Sequence, residues 1–286
     1  MRNTPPPRLR AARVAALLGA CLLGGCQDAP APSARPLVLV SVPPQAWFVA
    51  RLAGERVETV VLVPPGASPV LHEPGLPQLR AAARAALWIK VGHPHFPFER
   101  TWLDQLIAQN PHLALVDASA AAERHDGDPH VWLVPRHARA MSQEIERALS
   151  ELLPEYRAEL QANGRRLRAD IDALDSELRA LFEPLRGREF FVFHPAWGYF
   201  AEEYGLVQVA IEAHGKEPDA QRLATLIRRA RKRRVTTIFV QPQLDPQSAQ
   251  VLALEVGARV EPLDPLAYDW LANLRDCAAR LSEALA

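Results

Sequence analysis

The chain has 286 residues, 33 of them basic and 33 acidic, and 49% are hydrophobic. That balance supplies no basic field for nucleic acid, and three cysteines are too few for a disulfide framework. The length suits one large domain or two small ones with a substantial apolar core.

Arg2, Arg8, Arg10 and Arg13 form a basic region with no acidic residue before Asp28. Residues 14–23 follow as an apolar stretch too short to span a bilayer, and the run ends Leu23-Gly24-Gly25-Cys26. Small residues just before a cysteine resemble a bacterial lipoprotein signal, which implies cleavage before Cys26 and acylation of its sulfur. An uncleaved anchor would equally put the following chain outside the cytoplasm. Residues 27–36, rich in Ala, Pro and Ser, read as a tether. The signal and lipobox, residues 1–26, hold four basic residues and no acidic one, which leaves 29 basic against 33 acidic residues, a net charge of −4. Cys21 departs with the signal and Cys26 carries lipid, so Cys277 has no internal disulfide partner.

From residue 37 the pattern alternates strand and helix. Residues 36–42 form a continuous apolar run, as a strand buried on both faces requires. Pro43-Pro44 opens a helix carrying Trp47, Phe48 and Leu52, and Gly54 ends it. Strands are expected at 57–63, 87–91 and 113–116. Helices are expected at 76–86, through Trp102 and Ile107, and at 136–152. The run from Pro154 to Pro184, with Leu153 just before it, has apolar residues at Tyr156, Leu160, Leu167, Ile171, Leu174, Leu178 and Leu181 and a single glycine, Gly164. This spacing predicts one amphipathic helix of roughly 45 Å, placed between two β/α halves as a rigid strut. After it, strands are expected at 189–193, 207–211, 236–240 and 259–263, with helices at 199–204, 221–234, 248–256 and 268–285. The expected fold is therefore α/β, with parallel doubly wound sheets in two lobes, 37–153 and 185–286, joined by the linking helix 154–184. The basic run Arg228, Arg229, Arg231, Lys232, Arg233, Arg234 reads as a solvated helix end beside the C-terminal dipole.

Ligands of open α/β sheets bind beyond the carboxyl ends of the strands. His72, His130, His194 and Asp264 lie at such places, two on each side of the strut. Three imidazoles and a carboxylate are a complete shell for a divalent transition metal. His112, His125, His137 and His214 are read as surface or supporting residues, and Trp197 and Tyr199 as packing that excludes water beside His194.

These motifs resemble the metal-binding solute receptors of zinc and manganese ABC transporters, over essentially the whole mature chain. The resemblance rests on Pro64-Pro-Gly-Ala-Ser-Pro with Glu73-Pro74, and on Gly127-Asp-Pro-His130-Val-Trp-Leu-Val-Pro. It continues through Phe193-His194-Pro-Ala-Trp-Gly-Tyr-Phe-Ala, Glu203-Tyr-Gly-Leu, Gly215-Lys-Glu-Pro, Phe239-Val-Gln-Pro-Gln and Leu263-Asp264-Pro-Leu. A long helix between two lobes is the family's hallmark. The resemblance implies that His130, His194 and Asp264 are the second, third and fourth metal ligands. The family's first ligand falls on Val70, and His72 stands where the family has tyrosine. His72 as a displaced ligand, His93 or His95 from the loop Gly92-His93-Pro94-His95, and a water molecule all remain open for that place. Imidazole at position 194 favours Zn²⁺ over Mn²⁺ or Fe²⁺. The histidine-rich insert that relatives often carry near His125 is essentially absent.

The implied activity is capture of the ion outside the cytoplasm and delivery to an ABC permease driven by its ATPase. The receptor is expected to be a monomer held to the membrane through Cys26, with no nucleic-acid partner. The strut would limit hinge motion, and proton competition should weaken binding as the pH drops through about 6.5. A zinc hydrolase with an open coordination position on His130, His194 and Asp264 is the enzyme alternative. Against it, the chain has no His-Glu-x-x-His helix and no Gly-x-Ser-x-Gly. An adhesin-like lipoprotein is a third class, with no repeats or long extensions to support it.

Overall fold

The computed structural model describes residues 1–2, 35–122, 127–212, 216–245 and 247–286. The signal, Cys26, most of the tether, His125 and His214 lie outside the described residues. Among those described, no helix is long and apolar enough to cross a membrane.

Two four-stranded parallel sheets form, one in each half. The first contains β1 (Leu37–Val40), β2 (Glu58–Val61), β3 (Leu87–Lys90) and β4 (Ala114–Asp117), in the order β2-β1-β3-β4. The second contains β5 (Glu189–Val192), β6 (Val207–Ala210), β7 (Thr237–Val240) and β8 (Arg259–Pro262), in the order β6-β5-β7-β8. The halves thus repeat one topology without a visible sequence repeat. In each, the order reverses beside the first strand, leaving a crevice beyond the strand ends.

The helices are α1 (Pro43–Ala53), α2 (Leu76–Ala82), α3 (Pro97–Gln109), α4 (Pro135–Leu152), α5 (Arg157–Phe182), α6 (Gly198–Glu203), α7 (Ala220–Arg233), α8 (Gln247–Val256) and α9 (Trp270–Leu285). Proline occupies the first turn of α1, α2, α3 and α4, where its missing N–H costs nothing. Asp219 and Asp269 cap α7 and α9 by accepting the backbone N–H groups of Arg222 and Ala272. The basic end of α7 is solvated as expected, with Arg229 and Arg233 paired to Glu189 and Arg231 to Glu255.

The long helix spans 26 residues with a short 3-10 turn at each end, Pro154–Tyr156 and Glu183–Leu185. Its stripe is Leu160, Leu167, Ile171, Leu174, Leu178 and Phe182, all buried. Leu181 departs from the sequence reading and is exposed. Four residues past Leu178 the helix returns to its buried face at Phe182, and Leu181 falls off it. Gly164 marks a close crossing, because a β-carbon there would lie 1.8 Å from Glu146 Oε2, which pairs with Arg168 at 2.6 Å. The helix is not a bare connector. One apolar core runs through the first sheet, α4, α5, α9 and one face of the second sheet. A smaller core lies between the other face of that sheet and α7 and α8. Cys277 is buried in α9 without a disulfide, and burial pushes its thiol up to about 12.

Candidate metal centre

His194 and Glu212 come together through strand register. β5 and β6 pair in parallel with Val192 opposite Ala210. The ladder runs on, with Ile211 N donating to Val192 O and Glu212 N to Phe193 O. Two residues past each strand, His194 Nδ1 and Glu212 Oε1 meet at 2.5 Å. Glu212 is only 6% exposed. Arg222 on α7 secures that segment by donating to the carbonyls of Ala210, Ile211 and Glu212.

His130 is held by a local turn. Asp128 Oδ1 accepts the His130 backbone N–H at 2.9 Å and lies 2.8 Å from its Nδ1, the short-range loop that aspartate favours. Tyr199 of α6 donates its hydroxyl to the Asp128 carbonyl at 3.0 Å. Gly198, the first residue of that helix, sits so close that a β-carbon would lie 2.7 Å from Asp128 Oδ2. Tyr199 therefore does more than exclude water: it fixes the residue that orients His130. Its ring also packs on His137, which is buried rather than on the surface.

The two imidazoles face one another edge to face, with centroids 5.2 Å apart. In each, a carboxylate on Nδ1 favours the tautomer that keeps the proton there and leaves the Nε2 lone pair available to a cation. Burial lowers the His130 pKa below the ordinary imidazole value, and the Asp128 hydrogen bond partly offsets that shift.

Asp264 stands two residues past β8. Its Oδ1 accepts from Gln243 Nε2 at 2.7 Å and from Leu266 N at 2.8 Å, and its backbone carbonyl accepts from Asn273 at 2.7 Å. Among the described residues, both of these side-chain bonds fall on Oδ1. His72 lies on Phe98, with centroids 6.1 Å apart, and its Nε2 is buried without a hydrogen-bond partner. Val70 is exposed. His93 and His95 sit 5.7 Å apart by ring centroid, and His95 N donates to His93 Nδ1 at 3.2 Å. Behind that loop, Glu99 is buried and accepts from Ser41 Oγ (2.6 Å), Val91 N (2.6 Å) and Gly92 N (2.9 Å). Its carboxylate ties β1, β3 and α3 together at the strand ends.

The structure thus joins His130 with His194. Among the described residues, no group of three or more His, Cys, Asp or Glu side chains is gathered closely enough to hold a metal ion. Asp128, Glu212 and Gln243, the groups that orient the expected ligands, were not singled out by the sequence. The spacing Asp128-x-His130 was a visible signal for the first. Glu212 follows β6 by the same two residues as His194 follows β5.

The model of the family described as ZnuA, zinc-uptake complex component A, periplasmic, matches residues 38–284. The chain belongs to this family. It is 28% identical over 263 residues to the high-affinity zinc uptake system protein ZnuA of Yersinia pestis, covering 80% of this chain and 82% of that one. A crystal structure of ZnuA superposes with a TM-score of 0.84 at 37% identity, over 88% of this chain and 99% of that one. A zinc-bound ZnuA lacking its residues 138–173 superposes with a TM-score of 0.83, also at 37% identity, over 88% and 98%. The two-lobe fold with its long helix is therefore the fold of this receptor family.

Proposed function

We propose that this chain is an extracytoplasmic receptor that captures Zn²⁺ and delivers it to an ABC importer, a permease with its ATPase. The observation that carries the reading is the His130–His194 pair, each ring backed on Nδ1 by a carboxylate. Two such rings present two nitrogen donors of fixed tautomer, which suits a borderline-soft ion and is less suited to Mn²⁺ or Fe²⁺. Family membership and the zinc-bound relative support the same ion.

In this reading His130, His194 and Asp264 bind the metal, with the lobes at 37–153 and 185–286 and the linking helix at 154–184. His72 is the preferred fourth donor, since its buried Nε2 lacks a hydrogen-bond partner. His93 is a weaker candidate. Its Nδ1 accepts a backbone hydrogen bond, so a neutral ring carries its proton on Nε2 and must change tautomer to ligate there. His95 is exposed beside it. A monomer tethered by lipid at Cys26 completes the picture, supported by the sequence around that cysteine. The hydrolase alternative is not favoured, because a solute receptor accounts for the family, the fold and the paired histidines together.

The test is zinc affinity by chelator competition on the domain starting at residue 35. His130→Ala and His194→Ala should each abolish tight 1:1 binding. His72→Ala and a His93→Ala/His95→Ala double variant then assign the remaining donor. A wild-type chain without tight zinc binding would refute the reading.

A further inference from the structure

Two buried tryptophans join the halves beside the proposed ligands. Trp132 Nε1–H donates to the Pro265 carbonyl at 2.7 Å, and Trp270 Nε1–H donates to the Trp132 carbonyl at 2.6 Å. Both side chains are essentially inaccessible to solvent. The bonds are reciprocal: each segment gives one N–H and receives one, across 133 and 138 residues of sequence.

The segments so joined are those that carry His130 and Asp264. Trp132 follows His130 by two residues and touches its ring, with centroids 5.4 Å apart. Pro265 directly follows Asp264, and Trp270 begins α9, whose Asn273 holds the Asp264 carbonyl. Each indole is itself braced, Trp132 by the edge of Phe96 and Trp270 by Trp47 and Phe48 of α1. An indole has one N–H and no acceptor. A buried N–H left unpaired is costly, so sliding one segment past the other strands two donors at once.

We infer that Trp132 and Trp270 are positioning residues, a clasp across the lobes that keeps His130 and Asp264 in register for the metal. This rests on the receptor reading above. The clasp confines opening to other loops, because the His130 and Asp264 segments are fixed to each other whether or not metal is present.

Trp132→Phe and Trp270→Phe delete each N–H and keep an aromatic ring. Each should raise the zinc Kd about tenfold and alter the visible absorption of bound Co²⁺, which reports ligand geometry. In an Asp264→Ala background the same substitutions should cost little, since the positioned group is gone. An unchanged Kd and Co²⁺ spectrum with only a lowered melting temperature would overturn the clasp, leaving tryptophans that merely pack. A full Trp→Phe effect in the Asp264→Ala background would overturn it equally. If neither variant folds, the wild type decides. Both indole N–H protons should resist solvent exchange with and without zinc, and fast exchange in either state refutes the inference. A wild type that binds neither ion removes the receptor reading, and the clasp with it.

Discussion

Glu212 offers the sharpest test of how the site is tuned, because it touches the proposed metal only through His194. Its carboxylate is buried and 2.5 Å from His194 Nδ1, so the bond is charge-assisted and shielded from water. Hydrogen bonds to charged groups contribute about 1.5–3 kcal/mol. Loss of a carboxylate behind a ligating histidine typically costs about 10- to 100-fold in metal affinity, or roughly 1.4–2.7 kcal/mol. The two scales agree in magnitude, which sets the size of the expected loss. Glu212→Gln keeps an oxygen that can accept from Nδ1, so the tautomer survives and only the charge is lost. Its zinc Kd should rise about tenfold. Glu212→Ala removes the acceptor, frees the ring to rotate, and should approach a hundredfold. The assay is competition against a chromophoric chelator, with thermal unfolding of the metal-free proteins as the folding control. Equal affinities for wild type and both variants, all folded, would refute the claim that Glu212 prepares His194 for metal.

Gly198→Ala puts a β-carbon 2.7 Å from Asp128 Oδ2. Because Oδ1 is already committed to His130, it should destabilise the domain by roughly 1–3 kcal/mol and weaken zinc binding. Denaturant titration and chelator competition check the two effects, and a variant as stable and as tight as wild type contradicts the close contact. The pH dependence follows from His130, whose pKa burial lowers below about 6.5. As the pH falls below 6.5 the unfolded chain takes up the proton first, so the metal-free protein should lose stability across that window and hold it above. The neutral, ligating form correspondingly persists below 6.5, so the contribution of His130 to zinc affinity should fade at more acid pH than an ordinary imidazole would allow. Denaturant titrations from pH 5 to 8, on wild type and His130→Ala, should show the slope in the former and a smaller one in the latter.

Much of the fold was legible because parallel strands covered on both faces must be continuously apolar, and stretches such as Leu37-Val38-Leu39-Val40 have few other uses. Strand and helix types matched throughout, and the ends moved by one to a few residues. Leu181 was misplaced because an apolar residue three positions along still looks periodic, whereas the real helix had Phe182 at its buried face. The histidines at 130 and 194 stood out by motif and by position past the strands. Their carboxylate partners were harder to see. Glu212 acts through the pairing of β5 with β6, which no single segment of sequence displays. The Trp132–Pro265 bond, joining residues 133 positions apart, is a tertiary fact with no local signature.

In the proposed site, Val70 stands where the resemblance implies the first ligand. An exposed valine donates nothing, so the affinity must come from the donors that remain, and from how much of their ordering folding has already completed. Asp128 and Glu212 set a tautomer before metal arrives, and Gln243 with Leu266 N occupies one Asp264 oxygen. Each fixed rotamer removes about 0.5–1.5 kcal/mol from the ordering cost of binding. The pair Asp128 and Glu212 also brings two carboxylates against the two rings. These stabilise a dication at the site more than the single proton that competes for each imidazole. Burial keeps the His130 ring neutral to lower pH. The proposed site, with Val70 at the place of the first ligand that the resemblance implies, can therefore favour a divalent cation while these supporting groups stay in place.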